Sequence, residues 1–166
     1  MKKHLPLWAA AALVAVAAVA LPGCARNEAA PDVPYTLLDG SKHSSADLRG
    51  KVVLVNFWAT SCTTCMKEMP QIAETHRKFQ SRGFETLSVA MSYDPPAYVV
   101  NYAQSRQLPF GVAIDNTGQI AKAFGDVQLT PTSFVVDKHG AIVKRYVGEP
   151  DFAQLHALLE KLLAQS

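Results

Sequence analysis

The feature that most constrains this chain is a junction near its centre. The stretch from Lys51 to Phe57 (KVVLVNF) is almost continuous in apolar and β-branched residues. That is the pattern of a strand buried on both faces. Trp58 to Ser61 follow, and then Cys62-Thr63-Thr64-Cys65 opens a helical pattern running from about Cys62 to Arg82. Met69, Ile72, Ala73, His76 and Phe79 fall near one face of it, and Gly83 supplies its stop. A helix N-terminus presents free N–H groups and the positive end of the macrodipole. A thiolate there is stabilised, so the thiol becomes acidic and nucleophilic near neutral pH. Cys62, nearest the helix start, is the candidate attacking thiol. Cys65, one turn along, is the candidate resolving thiol.

Around this junction the pattern alternates. Tyr35 to Leu38 is a short strand candidate, closed at Asp39-Gly40. Glu85 to Met91 and Phe110 to Ile114 are further strands. Between them Asp94-Pro95 opens a helix, Asp94 as cap and Pro95 in the first turn. Its apolar positions include Val99, Tyr102 and Ala103, and Tyr98 and Tyr102 are expected to cover the sheet. A short helix lies near Gln119 to Phe124. Thr132 to Asp137 and Ala141 to Val147 form a hairpin turning at Gly140. After Pro150-Asp151, the residues Phe152, Leu155, Leu158, Leu159, Leu162 and Leu163 make an amphipathic stripe. The expected fold class is α/β: a mixed central sheet with helices on both faces.

Composition excludes several functions. The 166 residues are 49% hydrophobic and 18% charged, an ordinary globular balance. Lys plus Arg is 16 and Asp plus Glu is 14, and the excess of 2 is Lys2 and Lys3. From residue 24 the tally is 14 against 14, so the body has no bulk attraction to nucleic acid. A zinc pair would need two more ligands, and His43, His76, His139 and His156 show no metal-ligand spacing. No metal or cofactor is implied. His76 reads as a packed histidine, and Met66 and Met69 as packing. A purely structural disulfide closing so short a loop would restrain the unfolded chain poorly. Redox activity is the leading reading.

The N-terminus reads as an address. Leu7 to Leu21 is an apolar run of 15 residues, short for a membrane span and suited to a secretory signal. Leu21-Pro22-Gly23-Cys24 resembles a bacterial lipobox, with Pro22 as a departure. The division expected is 1–23 lipoprotein signal peptide, 24–34 lipid-anchored linker and 35–166 folded domain. A retained anchor and a plain cleaved signal are the alternatives, and each places the body outside the cytosol. Acylation of Cys24 would leave Cys62 and Cys65 as the pair.

Thr130-Pro131 stands just before a predicted strand, where proline is normally unwelcome. Alone it reads as a trans turn residue; near a Cys-x-x-Cys helix, a cis bond becomes the better reading. The stretch Val53 to Cys65, Pro70, and Thr130-Pro131 followed by Ser133 to Val136 resemble the thioredoxin superfamily. Glu68, the separate helix near 95–106 and the turn Asp137-Lys138-His139-Gly140 are similar to its TlpA/ResA-like branch of membrane-tethered extracytoplasmic oxidoreductases. The resemblance implies a thioredoxin-like fold with an N-terminal β extension and an inserted helix. It implies a cis Pro131 packed near Cys62, with the Thr130 backbone pairing with a substrate strand. It implies that Trp58 forms part of the rim and that Pro70 kinks the long helix.

Two positions depart from ordinary thioredoxin. Asn56 stands where a buried acid would help deprotonate the resolving thiol, and Glu68, one helical turn after Cys65, offers the replacement. The expectation is that Glu68 relays the proton of Cys65; the plain alternative is a solvated helix glutamate. Ser61 replaces the bulky residue usual before the first Cys, which opens the rim. The uncharged Thr63-Thr64 predicts a reducing protein, with a potential between about −270 and −180 mV.

The resemblance implies exchange with disulfide-containing exported proteins, apocytochrome c among the candidates in cytochrome c maturation and cell redox homeostasis. It also implies a membrane thiol transporter as electron donor and the bilayer as anchor, on the periplasmic or extracytoplasmic face. A thiol peroxidase is the alternative, but it wants Thr where Ala59 stands. A copper-handling module wants a wider Cys spacing and a His ligand. A pure binding module would lack exchange activity.

Overall fold

The computed structural model describes residues 28–165. Five strands form the central sheet in the order β5-β4-β3-β6-β7, where β3 is Val52–Trp58, β4 Phe84–Ala90, β5 Gly111–Ile114, β6 Thr132–Val136 and β7 Ile142–Val147. β3, β4 and β5 run parallel; β6 and β7 are antiparallel to their neighbours. A separate hairpin pairs β1 (Pro34–Thr36) with β2 (Lys42–Ser44). All seven residues of β3 are buried, which explains its unbroken apolar run. Its single polar side chain, Asn56, is the exception to be explained.

The sheet is covered on both faces. Odd-numbered β3 residues Val53, Val55 and Phe57 pack with Phe134, Ile120 and Phe124, the last two from and just after α3 (Gln119–Ala123). On the other face Val52 and Leu54 meet Ile72 and Phe79 of α1 (Thr63–Phe79) and Leu155 and Leu159 of α4 (Phe152–Leu163). Trp58, also even-numbered, meets Met69 of α1 and Val99 and Ala103 of α2 (Pro96–Ser105). Each fully buried Leu or Phe in these layers contributes about 1.5–3 kcal/mol. Gly83 ends the α1 segment at φ 90°, a conformation that disfavours any side chain.

The N-terminal boundary differs from the sequence expectation. Glu28 to Val33, read as tether, are packed on the domain. The Glu28 carbonyl accepts from the Ile142 N–H at 2.7 Å, and the Ala30 N–H donates to the Gly140 carbonyl at 2.8 Å. Ala30 and Val33 lie against the core. The expected signal peptide and Cys24 lie outside the described residues. No helix among the described residues is long and apolar enough to cross a membrane.

The topology brings three segments to one edge. β3 and β4 end there, and β6 starts there, because Phe57 lies opposite Thr132 in the antiparallel register. The loop after β3 carries Cys62 and the loop before β6 carries Pro131. The end of β7 joins them: Thr132 pairs with Val147, and the Gly148 N–H donates to the Pro131 carbonyl at 2.8 Å.

Candidate active site

Cys62 is the N-cap of α1 and is joined to Cys65 by a disulfide, S–S 2.09 Å. The Cys65 N–H donates to the Cys62 sulfur at 3.1 Å. A free helix-end amide is thus aimed at the sulfur that carries negative charge once the bond is reduced. Cys62 is half-buried, whereas Cys65 is fully buried with Met69 and Trp58.

The turn before Cys62 is held by a residue the sequence reading misplaced. Asp94 does not cap α2; Pro95 holds that position and makes no side-chain cap. The Asp94 carboxylate, 2% exposed, instead accepts from the Thr60 N–H at 2.6 Å and from the Thr60 hydroxyl at 2.5 Å. These bonds tie the loop after β4 to the loop after β3.

One turn along α1 from Cys65 begins a buried polar chain. Glu68 is completely buried, so the solvated-glutamate alternative is excluded. The Asn56 amide donates to Glu68 Oε1 at 3.0 Å and to the Ser133 hydroxyl at 3.0 Å. Asn56 Oδ1 and Glu68 Oε2 have no partner among the described residues. Burial drives the Glu68 carboxyl up to about 7; the Asn56 bond opposes that shift and the Glu149 charge adds to it. Burial penalises the charged form, and one amide donor compensates for it only in part. Ser133 carried no signal in the sequence beyond its place in the strand, yet it joins β6 to this chain.

Pro131 is buried, and the Thr130-Pro131 bond is cis. No backbone bond engages Thr130 among the described residues. The Tyr93 hydroxyl lies 3.4 Å from the Thr130 hydroxyl. Trp58 does not form the rim: it is completely buried, its ring 5.4 Å from Tyr102. As an even-numbered residue of β3 it points beneath α1 and α2 rather than outward. Tyr98 likewise does not cover the sheet and is 64% exposed. α1 continues through Pro70. Among the described residues four large hydrophobics are conspicuously exposed: Tyr93, Tyr98, Leu129 and Val147. All four lie in segments leaving or entering the sheet edge that carries Cys62, a distribution suited to contact with another macromolecule.

Three of the histidines are otherwise engaged. His76 is buried beside Thr86, His156 meets the Thr75 hydroxyl at 2.8 Å, and His43 stacks on Tyr35. Among the described residues no three His, Cys, Asp or Glu side chains converge on a metal position.

An accessible sulfur at a helix start, a buried partner sulfur behind it and a cis proline in the loop at the same end of the sheet are what dithiol exchange requires. Residues 25–159 match the redoxin family. The chain belongs to that family. This redoxin is 38% identical over 133 residues to the thiol-disulfide oxidoreductase ResA of Bacillus thuringiensis subsp. konkukian, covering 80% of this chain and 76% of the relative. It is 34% identical over 128 residues to ResA of Bacillus subtilis, covering 75% and 70%. Among solved structures it is similar to a thiol:disulfide interchange protein of the thioredoxin family from Chlorobium tepidum TLS. That match has 31% identity and a TM-score of 0.77, covering 84% of this chain and 99% of the other. The redoxin is a thiol–disulfide oxidoreductase of the TlpA/ResA-like kind, with the thioredoxin-like fold that the sequence implies.

Proposed function

We propose that this redoxin is an extracytoplasmic, membrane-tethered protein-disulfide reductase that acts through Cys62. In the reduced protein the Cys62 thiolate attacks one sulfur of a partner's disulfide. That bond breaks, a Cys62–partner disulfide forms, and the second partner sulfur leaves as thiolate. Cys65 then gives its proton to Glu68 and attacks the Cys62 sulfur. The first partner sulfur leaves and is protonated. Two electrons pass to the partner, and the Cys62–Cys65 disulfide remains.

The observation that carries this reading is the asymmetry of the two sulfurs: Cys62 half-buried at the helix start, Cys65 sealed beneath it. Glu68 suits the relay because its carboxyl, raised to about 7, both accepts and returns a proton near neutral pH. The unpaired Thr130 backbone suits strand addition by the substrate. Trp58 acts only from below, as packing under the exchanging pair.

On this reading Cys24 carries the lipid, a membrane thiol transporter returns electrons to the Cys62–Cys65 disulfide, and the clients are exported disulfide proteins. Apocytochrome c, whose haem-attachment cysteines must stay reduced, is one such client.

The test is insulin-disulfide reduction by the protein with Cys62→Ser and Cys65→Ser variants. Loss of turnover in both is expected, with a trapped mixed disulfide accumulating on Cys62 only in Cys65→Ser. Retained turnover in Cys62→Ser would refute the assignment.

A further inference from the structure

A groove of about 660 Å³ opens directly beside the Cys62 turn, between it and α2. Ser61 and Met66 form one wall; Tyr98, Tyr102 and Arg106 form the other, and Asp94 lies at the floor. Its charge is one-sided. Asp94 is buried with both oxygens taken by Thr60. Arg106 is exposed, makes no salt bridge among the described residues, and lies 5.8 Å from the Tyr102 ring centroid. The groove therefore offers aromatic walls near the reacting sulfur and one free cation at the far end. It is continuous with the exchange site, since Cys62, Met66 and Tyr102 pack on the same cluster as Trp58 and Cys65. A bulky residue at position 61 would block its mouth; the serine leaves it open.

We propose that this groove is a specificity subsite for the client polypeptide, taking the segment on one side of the attacked cysteine. The occupant is an extended segment with a large apolar or aromatic side chain beside the cysteine and a carboxylate further out. The spacing follows from geometry: Tyr98 to Arg106 is roughly 12 Å along a helix, the reach of three to four extended residues. The aromatic side chain would lie between Met66 and Tyr98, and the carboxylate would meet Arg106. Thr130, whose hydroxyl lies 3.4 Å from that of Tyr93 in the groove lining, would hold the client backbone, so the two contacts would fix its direction. This inference rests on the exchange reading above and adds the class of client sequence to it.

The test uses the reduced full-length protein and synthetic single-cysteine peptides carrying a thionitrobenzoate leaving group on sulfur. Each peptide has Phe next to the cysteine and either Glu or Lys three or four residues away, placed on the N-terminal or the C-terminal side. The symmetric nitrobenzoate disulfide serves as the small substrate. On one side only, the Glu peptide should react about threefold faster than the Lys peptide, as for an exposed ion pair. Arg106→Glu should invert that order. Tyr98→Ala should slow both Phe peptides by about threefold relative to peptides with Ala in place of Phe, through the lost aromatic contact. Equal rates for Glu and Lys peptides on both sides, or an order that Arg106→Glu fails to invert, would overturn the subsite. If the small disulfide is inert as well, the exchange reading itself falls and the subsite with it.

Discussion

Glu68→Gln isolates the energetic consequence of burying an acid one turn along α1 from Cys65. The carboxyl titrates at 4.5 when free and at about 7 in the fold. Between those values the unfolded chain has lost the proton and the folded chain still holds it. The unfolded state then binds fewer protons, so stability falls as pH rises through the window. It is fully present below the unfolded value and lost by the time the folded group has ionised. At about 1.36 kcal/mol per pKa unit, the loss between about pH 5 and about pH 8 is about 2.5 kcal/mol. Glutamine removes the titration and keeps the shape. Its oxygen can still accept from the Asn56 amide, and its nitrogen replaces Oε2, which has no partner beside the equally unpartnered Asn56 Oδ1. Burial lowers the His76 and His156 values, and those groups destabilise the fold as pH falls, the opposite sense. They cancel when the variant is compared with the parent at each pH. Urea unfolding of both oxidised proteins at the two pH values is the assay. The variant should gain about 2.5 kcal/mol on the parent between pH 5 and pH 8. An offset that is the same at both values would refute the raised carboxyl, and with it the proton relay.

Three other outcomes follow from the same contacts. Asp94→Ala leaves the Thr60 N–H and hydroxyl without their acceptor; a loss of about 3 kcal/mol in a thermal melt is expected for a charged acceptor bonded twice. A change below about 1 kcal/mol would mean that solvent replaces the carboxylate. Leu159→Ala, at a fully buried position against β3, should cost about 3 kcal/mol by chemical denaturation. The Cys62–Cys65 couple, equilibrated against glutathione, should have a potential between about −270 and −180 mV; a value near about −120 mV would reverse the proposed direction of exchange.

The elements that were legible in the sequence are those whose burial leaves a periodic trace. β3 shows an unbroken apolar run because it lies centrally between β4 and β6, and α4 shows a stripe because only one side meets the sheet. The Cys62 turn was legible because its position at a strand-to-helix junction has a chemical meaning. What was missed depends on contacts distant in the chain. Asp94-Pro95 has the form of a helix cap, but the carboxylate is drawn inward to Thr60, a partner 34 positions away. The family resemblance implies a rim position for Trp58, whereas strand parity turns it inward. Glu28 to Val33 look like linker because backbone pairing with the β7 segment leaves no mark on composition.

Asn56 shows why the fold and the chemistry share one constraint. It reaches both Glu68 and Ser133 only because β3 and β6 are antiparallel with Asn56 opposite Ser133, and because even-numbered residues of β3 face α1. A slip of β3 by one residue would invert every side chain in the strand. Asn56 would then enter the apolar layer beneath α3, and Glu68 would lose the Asn56 donor. Trp58 would leave the cluster that seals Cys65, and Phe57 would no longer lie opposite Thr132. The apolar alternation that forbids this slip is the same pattern that keeps the Asn56 amide on the Glu68 carboxyl, and the relay proposed for Glu68 depends on it. A single polar residue in this otherwise apolar strand therefore ties the folding register to the proposed exchange chemistry.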